Sequence, residues 1–161
     1  PQLKLKIGGG CVPGDEPFVE RMRDRLHAKA LLGDVEFHPN VNREEKQAFL
    51  KSLSVLSVPA QFGEAFGFYV IEAMAAGVPV VQPNCASFPE LIEMTGGGVF
   101  YDHDGPESLA AAIDKLLHNP SEAKAIGLNG REVVREKFSI QYMADQMAML
   151  YDELTPKTTE A

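Results

Sequence analysis

The hydrophobic residues of this chain follow two kinds of pattern. Short apolar runs, typical of buried strands, alternate with longer stretches in which apolar residues recur every three or four positions, as on one face of a helix. Strands are predicted at residues 3–7, 35–37, 55–58, 78–81 and 98–101. Alternation of this kind predicts the α/β class, with a parallel sheet that carries helices on both faces.

Local signals set the boundaries of the predicted helices. Asp15 and Pro17 begin a helix that runs to about residue 30. Asn42, followed three residues later by Glu45, is a capping-box pattern for a helix to about residue 52. Gly77 ends a helix that begins near residue 68. Further helices are predicted over residues 89–94, 106–117, 122–137 and 140–154.

Length and composition indicate one domain. A chain of 161 residues with 45% hydrophobic and 24% charged residues can bury a single core, so we expect one domain over residues 1–154 and a flexible tail over 155–161. The chain opens at Pro1, directly before a predicted strand, which indicates a cut or incomplete chain. The apolar runs are far shorter than the roughly 20 residues that cross a bilayer, so no transmembrane or signal segment is predicted.

Charge and ligand-type residues exclude several classes of partner. The net charge of −8 disfavours nucleic acid and anionic membrane. Cys11 and Cys85 lie far apart, so neither a zinc cluster nor a disulfide framework is indicated, and the cytoplasm is the simplest location. The histidines also lack the close spacing of a metal site, so no metal is expected; they are His27, His38, His103 and His118.

The loop after the third predicted strand, residues 59–67, is the most informative segment. Ligands of parallel sheets bind at the carboxyl ends of the strands, where a helix that begins near Phe68 presents unpaired N–H groups suited to a diphosphate. Gly67 would allow close approach of the phosphate. Glu72 lies about 6 Å into this helix, a span comparable to the step from phosphate to ribose. Its carboxylate could therefore accept both hydrogens of the ribose diol. Glu64, before the helix, can accept from the hydroxyls of a sugar beyond the second phosphate.

Glu64 and Glu72 lie within the segment GEAFGFYVIEAMAAGVPVV, which resembles the EX7E motif of the retaining GT-B glycosyltransferases called glycosyltransferase group 1. The likeness extends to LKIGGG, VPVVQP, FPEL, TGGG and KFS, and so covers nearly the whole chain. It implies the Rossmann-like C-terminal half of a GT-B fold, which binds a nucleotide-sugar donor. The implied reaction transfers a hexose from that donor to an acceptor with retention at the anomeric carbon.

The resemblance also assigns roles to individual residues. Glu64 would be the catalytic residue and would bind hydroxyls of the donor sugar, while Glu72 would bind the ribose. The donor sugar and diphosphate would be held by Glu64, Ala65, Phe66, Gly67, Phe68 and Tyr69. The base would lie near Phe37, His38 and Pro39. Gly9 is a further candidate for close approach of the ligand. Glu90 either caps its own helix or lines the site. The helix-terminal amides would stabilise the leaving diphosphate, and no metal or other cofactor is required.

The chain departs from the family pattern in several places. Ala60 stands where a Ser or Thr is common, and His38-Pro39 where a glycine is frequent. The family's C-terminal domain usually begins with a further strand and helix, whose Arg and Lys neutralise the donor phosphates, and nothing before Leu3 supplies them. That strand belongs between the strands at 3–7 and 55–58. We therefore expect either a fragment or another segment in that position, and a continuous five-stranded sheet would contradict this order.

The resemblance further implies that acceptor contacts come from an N-terminal domain absent from this chain, so that the segment is inactive alone. Three alternatives stay open. A nucleotide-sugar epimerase or a phosphorylase half of the same fold is one, and the epimerase would convert a bound donor without acceptor. A non-catalytic binder would bind donor without turnover, and an interaction module would bind no nucleotide. The base, the sugar, the acceptor and the oligomeric state are not predicted.

Overall fold

The computed structural model describes residues 3–60, 62–102 and 105–155. It confirms the α/β class, because helices alternate with strands that all pair in parallel. The chain divides into two compact units, an N-terminal unit up to Leu53 and a C-terminal unit from Ser54 onward. The elements are β1 (Leu5–Gly9), α1 (Glu16–Ala28), β2 (Val35–Pro39), α2 (Arg43–Lys51), α3 (Phe68–Ala75), β3 (Val80–Pro83), α4 (Phe88–Thr95), β4 (Gly98–Tyr101), α5 (Pro106–His118), α6 (Pro120–Lys137) and α7 (Ile140–Leu154).

The predicted boundaries agree with these elements to within a few residues, and β4 and α7 have the bounds that the sequence predicts. Of the predicted tail, residues 155–161, all but Thr155 lie outside the described residues. None of the helices among the described residues combines the length and the apolar composition that spanning a bilayer requires.

In the N-terminal unit, β1 and β2 form a parallel pair in which Leu5 lies opposite Val35 and Gly9 opposite Pro39. β1 extends two residues beyond the predicted strand, because the ladder with β2 continues through Gly8 and Gly9. Gly8 also lies against α2, where an added Cβ would stand 2.9 Å from Cζ of Phe49. Gly8 and Gly9 therefore continue the strand, and Gly8 lies at a point of close packing.

The predicted capping box begins α2. The Asn42 side chain accepts from the backbone N–H groups of Glu44 and Glu45 at 2.9 and 3.0 Å. In return, the Glu45 carboxylate accepts from the N–H of Asn42 at 2.8 Å. Three backbone donors that the helix itself leaves unpaired are thus satisfied locally, which is why the sequence alone located this helix end.

Replacing Asn42 by Ala is expected to lower the free energy of unfolding by about 1 kcal/mol, because the N-terminal amides of α2 lose their acceptor. Urea unfolding followed by circular dichroism measures the change. Gln47→Ala, at an exposed position in the middle of the same helix, is the matched control and should change stability by less than about 0.5 kcal/mol. Equal effects of the two substitutions would contradict a stabilising cap.

In the C-terminal unit, β3 and β4 pair in parallel, with Val80 opposite Gly98 and Pro83 opposite Tyr101. α3, α4, α5 and α6 all contact this sheet. One buried cluster joins Val81 and Tyr101 to α5 and α6. The fully buried Met74 and Phe88 extend the core to α3 and α4. Most of the buried apolar side chains lie in this unit, which therefore holds the main core of the described residues.

The predicted third strand, residues 55–58, is wrong as an extended strand. Leu56 alone forms a parallel bridge, to Val80. The backbone N–H of Val58 instead donates to the side-chain oxygen of Gln82 at 3.4 Å. Because a side chain takes the place of the next backbone partner, the ladder stops after one rung.

The predicted strand at residues 78–81 begins later than expected, at Val80. Gly77 has φ +80°, as predicted for the end of α3. The N–H of Val78 then donates back to the carbonyl of Ala73 at 3.0 Å. Val78 is therefore part of the helix terminus, and the strand can start only beyond it.

Strand pairing bears on the predicted strand order. β1 pairs with β2, and β3 with β4, as two separate two-stranded ladders. Within residues 3–60, 62–102 and 105–155 there is no continuous five-stranded sheet, which is the arrangement that would have contradicted the predicted order.

Candidate functional site

α3 begins at Phe68, as the sequence predicts. Gly67 precedes the helix in the left-handed conformation, with φ +80° and ψ +58°. An added Cβ there would lie 3.1 Å from Cε1 of Phe88 and 3.5 Å from Cγ of Glu64. Both the torsion angle and the space therefore favour glycine. Because Gly67 has no side chain to cap the helix, the amides of Phe68 and Tyr69 face outward at its positive end without an intrahelical acceptor.

Glu64 lies in the segment before this helix, which we call the Glu64 loop (residues 62–67). Its side chain is half-buried, and Oε2 lies 3.5 Å from the Tyr69 hydroxyl, at the long end of hydrogen-bond distances. Burial, followed by the charge of Glu64 and this hydrogen bond, raises the pKa of Tyr69 to about 12. The Tyr69 phenol is therefore neutral at physiological pH and donates to the carboxylate.

Ser87 connects the turn between β3 and α4 to the Glu64 loop. Its hydroxyl lies 3.0 Å from the carbonyl oxygen of Glu64 and 3.3 Å from that of Phe66. Ser87 occupies the N-cap position of α4 but makes no cap hydrogen bond to that helix. Its donor is used instead to hold the loop backbone on which Glu64 is mounted.

Glu72 lies where the prediction puts it, in the second half of α3 and about 6 Å along the axis from Phe68. Its side chain is half-buried, whereas the next two residues, Ala73 and Met74, are fully buried against the sheet. The two glutamates therefore precede and follow the first turn of one helix.

Aromatic rings border the Glu64 loop. The rings of Phe66 and Phe68 are 4.9 Å apart between centres, and the ring of Phe138 is 6.4 Å from that of Phe66. Phe68 is 72% exposed, and Ala65 is also exposed. Phe138, which belongs to the KFS segment quoted above, thus joins the end of α6 to the loop.

Glu90 lies in the first turn of α4 and is exposed. A negative charge at that position is stabilised by the positive end of the helix dipole. This placement agrees with a role at the helix end, and a role in lining the site stays a prediction.

The residues predicted near the base lie in the N-terminal unit. Gly9 and Pro39 pair at the carboxyl ends of β1 and β2. The Arg23 guanidinium lies 4.1 Å from the centre of the Phe37 ring, so one face of that ring is covered. His38 contacts the Glu36 carboxylate at 3.3 Å. An open depression that runs along α2 is lined by His38, Pro39, Val41, Glu45, Ala48, Phe49 and Ser52.

Other candidates for chemistry in the described residues are the cysteines and the side chains that could bind a metal. Both Cys11 and Cys85 are free thiols. Burial raises the pKa of Tyr101, and the neighbouring Cys85 adds to this shift. No three His, Cys, Asp or Glu side chains of residues 3–60, 62–102 and 105–155 cluster as a metal site would require, and His103 lies outside these residues.

Sequence reasoning missed three contacts of the Glu64 loop. It used only the amide of Tyr69, and it gave no role to Ser87 or Phe138. Ser87 precedes a Phe-Pro-Glu helix start, which is a signal for a helix cap and not for a contact 23 residues away. Only the spacing of five residues between Glu64 and Tyr69 could have suggested that their side chains meet.

Comparison with known proteins places the chain in a family. The profile of the family described as "Glycosyl transferases group 1" matches residues 1–133. A GDP-mannose-dependent alpha-(1-6)-phosphatidylinositol monomannoside mannosyltransferase of Mycobacterium tuberculosis is 27% identical over 156 residues, which cover 92% of this chain and 40% of that protein. The chain thus spans well under half the length of the curated relatives it matches.

Solved structures agree with the family. Sucrose-phosphate synthase from Thermosynechococcus elongatus matches with a TM-score of 0.81 and 29% identity, over 94% of this chain and 38% of that one. Anabaena HepE in complex with UDP and glucose matches with a TM-score of 0.83 over 95% of this chain and 41% of that one, and at 20% identity this likeness shows the fold alone. The predicted resemblance is confirmed: the chain belongs to the group 1 glycosyl transferase family.

Proposed function

We propose that this chain is the donor-binding domain of a retaining glycosyltransferase that transfers a hexose from a nucleoside diphosphate sugar to an acceptor. The observation that carries the proposal is the position of Glu64 and Glu72 on either side of the first turn of α3. Gly67 precedes that turn and has no side chain to cover the N-terminal amides of the helix. A helix end favours a diphosphate, and a carboxylate on each side can accept from the hydroxyls that flank it in a nucleotide-sugar.

In the proposed complex, the amides of residues 66–69 bind the diphosphate and the Glu72 carboxylate accepts from the ribose diol. The Glu64 carboxylate accepts from hydroxyls of the hexose. During transfer, the bond between the anomeric carbon and the diphosphate oxygen breaks, and its electron pair remains on the diphosphate. The acceptor oxygen forms its bond on the same face and transfers its proton to the departing diphosphate oxygen. The helix amides stabilise the charge that develops on the leaving oxygen.

The proposed reaction needs more than this chain. The relatives are longer, and the name of the mannosyltransferase of Mycobacterium tuberculosis includes phosphatidylinositol monomannoside. We assign acceptor contacts to an N-terminal domain and expect this segment alone to catalyse no transfer. The chain has a net charge of −8 and two site carboxylates, so cationic groups outside it would have to offset the donor phosphates.

Three finer points belong to the same proposal. Contact of the base with Phe37, His38 and Pro39, at the end of β2, stays a prediction. The mechanism would need no metal, because the helix amides supply the stabilisation that a cation would otherwise give. The two free thiols favour a reducing compartment, and hence the cytoplasm.

The test is calorimetric titration of the full-length protein with UDP, GDP and ADP, followed by the glucose and mannose conjugates of whichever nucleotide binds. Saturable binding of one nucleotide, and transfer to an acceptor with retained anomeric configuration by NMR, are the expected results. The absence of binding by all three nucleotides would refute the proposal. Conversion of the bound sugar without acceptor would instead identify an epimerase.

A further inference from the structure

Two side chains that are not among the proposed donor contacts bind Glu64, one at its carboxylate and one at its backbone carbonyl. The Tyr69 hydroxyl contacts the carboxylate, and the Ser87 hydroxyl donates to the backbone carbonyl of Glu64. We infer that Tyr69 and Ser87 are positioning residues that orient the Glu64 carboxylate toward the donor sugar. This inference rests on the proposed function, because it concerns the hexose contact assigned to Glu64.

The position of the Tyr69 hydroxyl is fixed by packing. Its ring lies 6.4 Å from the ring of Phe88, which is fully buried, and Tyr69 itself is half-buried in α3. The raised pKa, about 12, keeps the phenol protonated, so it can only donate to a carboxylate. The contact with Tyr69 uses one acceptor site of Oε2, so Oε1 and the second site of Oε2 can accept from sugar hydroxyls.

Ser87 fixes the backbone of Glu64. Its contacts with the carbonyls of Glu64 and Phe66 bring the turn between β3 and α4 against the loop. Ala86, the preceding residue, has φ +52°, and its Cβ would lie 3.5 Å from a Cβ added to Gly63. The direction of Glu64 thus depends on a turn that lies more than 20 residues later in the sequence.

A purely structural role makes a different prediction from a positioning role. If the Tyr69 hydroxyl only stabilises the start of α3, its loss should weaken binding of the free nucleotide and of the nucleotide-sugar alike; if only the ring matters, Tyr69→Phe should change neither affinity. If it acts through the Glu64 carboxylate, only the ligand that carries a sugar should be affected. The effect should also vanish once Glu64 is altered, because interacting residues are not additive.

The experiment measures the affinity of the full-length protein for the nucleotide that the wild type binds and for its sugar conjugate. Tyr69→Phe keeps the backbone amide and the ring and removes only the hydroxyl. It is expected to lower the affinity for the nucleotide-sugar by about three- to tenfold and the affinity for the free nucleotide by less than about twofold. In a Glu64→Gln background, the same substitution should add no further loss. Tyr142→Phe, on α7, is the matched control and should leave both affinities unchanged.

Ser87→Ala gives a second variant should Tyr69→Phe fold poorly, and thermal unfolding checks both. Ser87→Ala too should lower the affinity for the sugar conjugate more in the wild type than in the Glu64→Gln protein. Equal losses for nucleotide and nucleotide-sugar, equal losses in both backgrounds, or no loss would overturn the inference. If the wild type bound nucleotide-sugar and depended on Glu64, these results would leave the proposed function intact. A wild type that bound no nucleotide-sugar would refute both.

Discussion

Glu72→Gln in the full-length enzyme is expected to lower kcat/KM for the donor by about ten- to a hundredfold. The substitution keeps the size of the side chain but replaces a carboxylate, which can accept from both ribose hydroxyls, by an amide with a single acceptor oxygen. Hydrogen bonds to a charged group contribute about 1.5–3 kcal/mol, which corresponds to a loss of this size. Because the ribose is present with and without the sugar, binding of the free nucleotide should weaken as well.

Glu64→Gln should give the same order of loss in kcat/KM but a different binding pattern. Its proposed partner is the hexose, so affinity for the nucleotide-sugar should fall while affinity for the free nucleotide is retained. Steady-state kinetics with varied donor, together with both titrations, separates the two variants. Glu93→Gln makes the same change at an exposed position of α4 and is the matched control. Unchanged kinetics in both site variants would remove the basis of the proposed function.

Gly127→Ala is expected to be the most destabilising of the substitutions considered, by about 2–4 kcal/mol. Gly127 is a buried residue of α6, and an added Cβ would stand 2.2 Å from the carbonyl oxygen of Gly77 and 3.1 Å from Cδ of Pro79. The nearest atom belongs to the backbone and cannot rotate away, so α6 or the segment between α3 and β3 would have to move. The better helix propensity of Ala, about 1 kcal/mol, offsets only part of this cost.

Urea unfolding of the wild type and the variant measures the loss for Gly127. Gly33→Ala is the control, because an added Cβ there meets no atom within 4 Å, and its effect should stay below about 1 kcal/mol. Unaltered stability of Gly127→Ala would mean that α6 can lie farther from the end of α3 than the structure indicates.

Most of the helices were predictable because their signals are local. Asn42 and Glu45 satisfy each other's neighbouring amides within one turn, and Gly77 supplies the left-handed torsion that ends α3. The same holds for the start of α3, where the sequence indicated Gly67 and the two glutamates. Each of these features depends on residues a few positions apart, so no distant partner was needed to infer it.

The features that the sequence predicted wrongly or missed depend instead on partners far away in the sequence. Residues 55–58 have the composition of a strand, yet the Gln82 side chain takes the N–H of Val58, and no local pattern announces this contact. Likewise, nothing near Ser87 indicates that its hydroxyl leaves its own helix for the Glu64 loop. Such contacts compete with local preferences through partners that only the folded chain brings close.

The sequence by itself determined the α/β class, nearly all the helix ends and the position of Glu64 and Glu72 around the start of one helix, because periodicity, caps and glycine torsions act over a few residues. The tertiary structure alone decided which strands pair, where the third strand fails, how closely α6 approaches Gly77, and that Tyr69 and Ser87 hold Glu64. These depend on distances between segments far apart in the chain, and such distances are set by packing of the whole core.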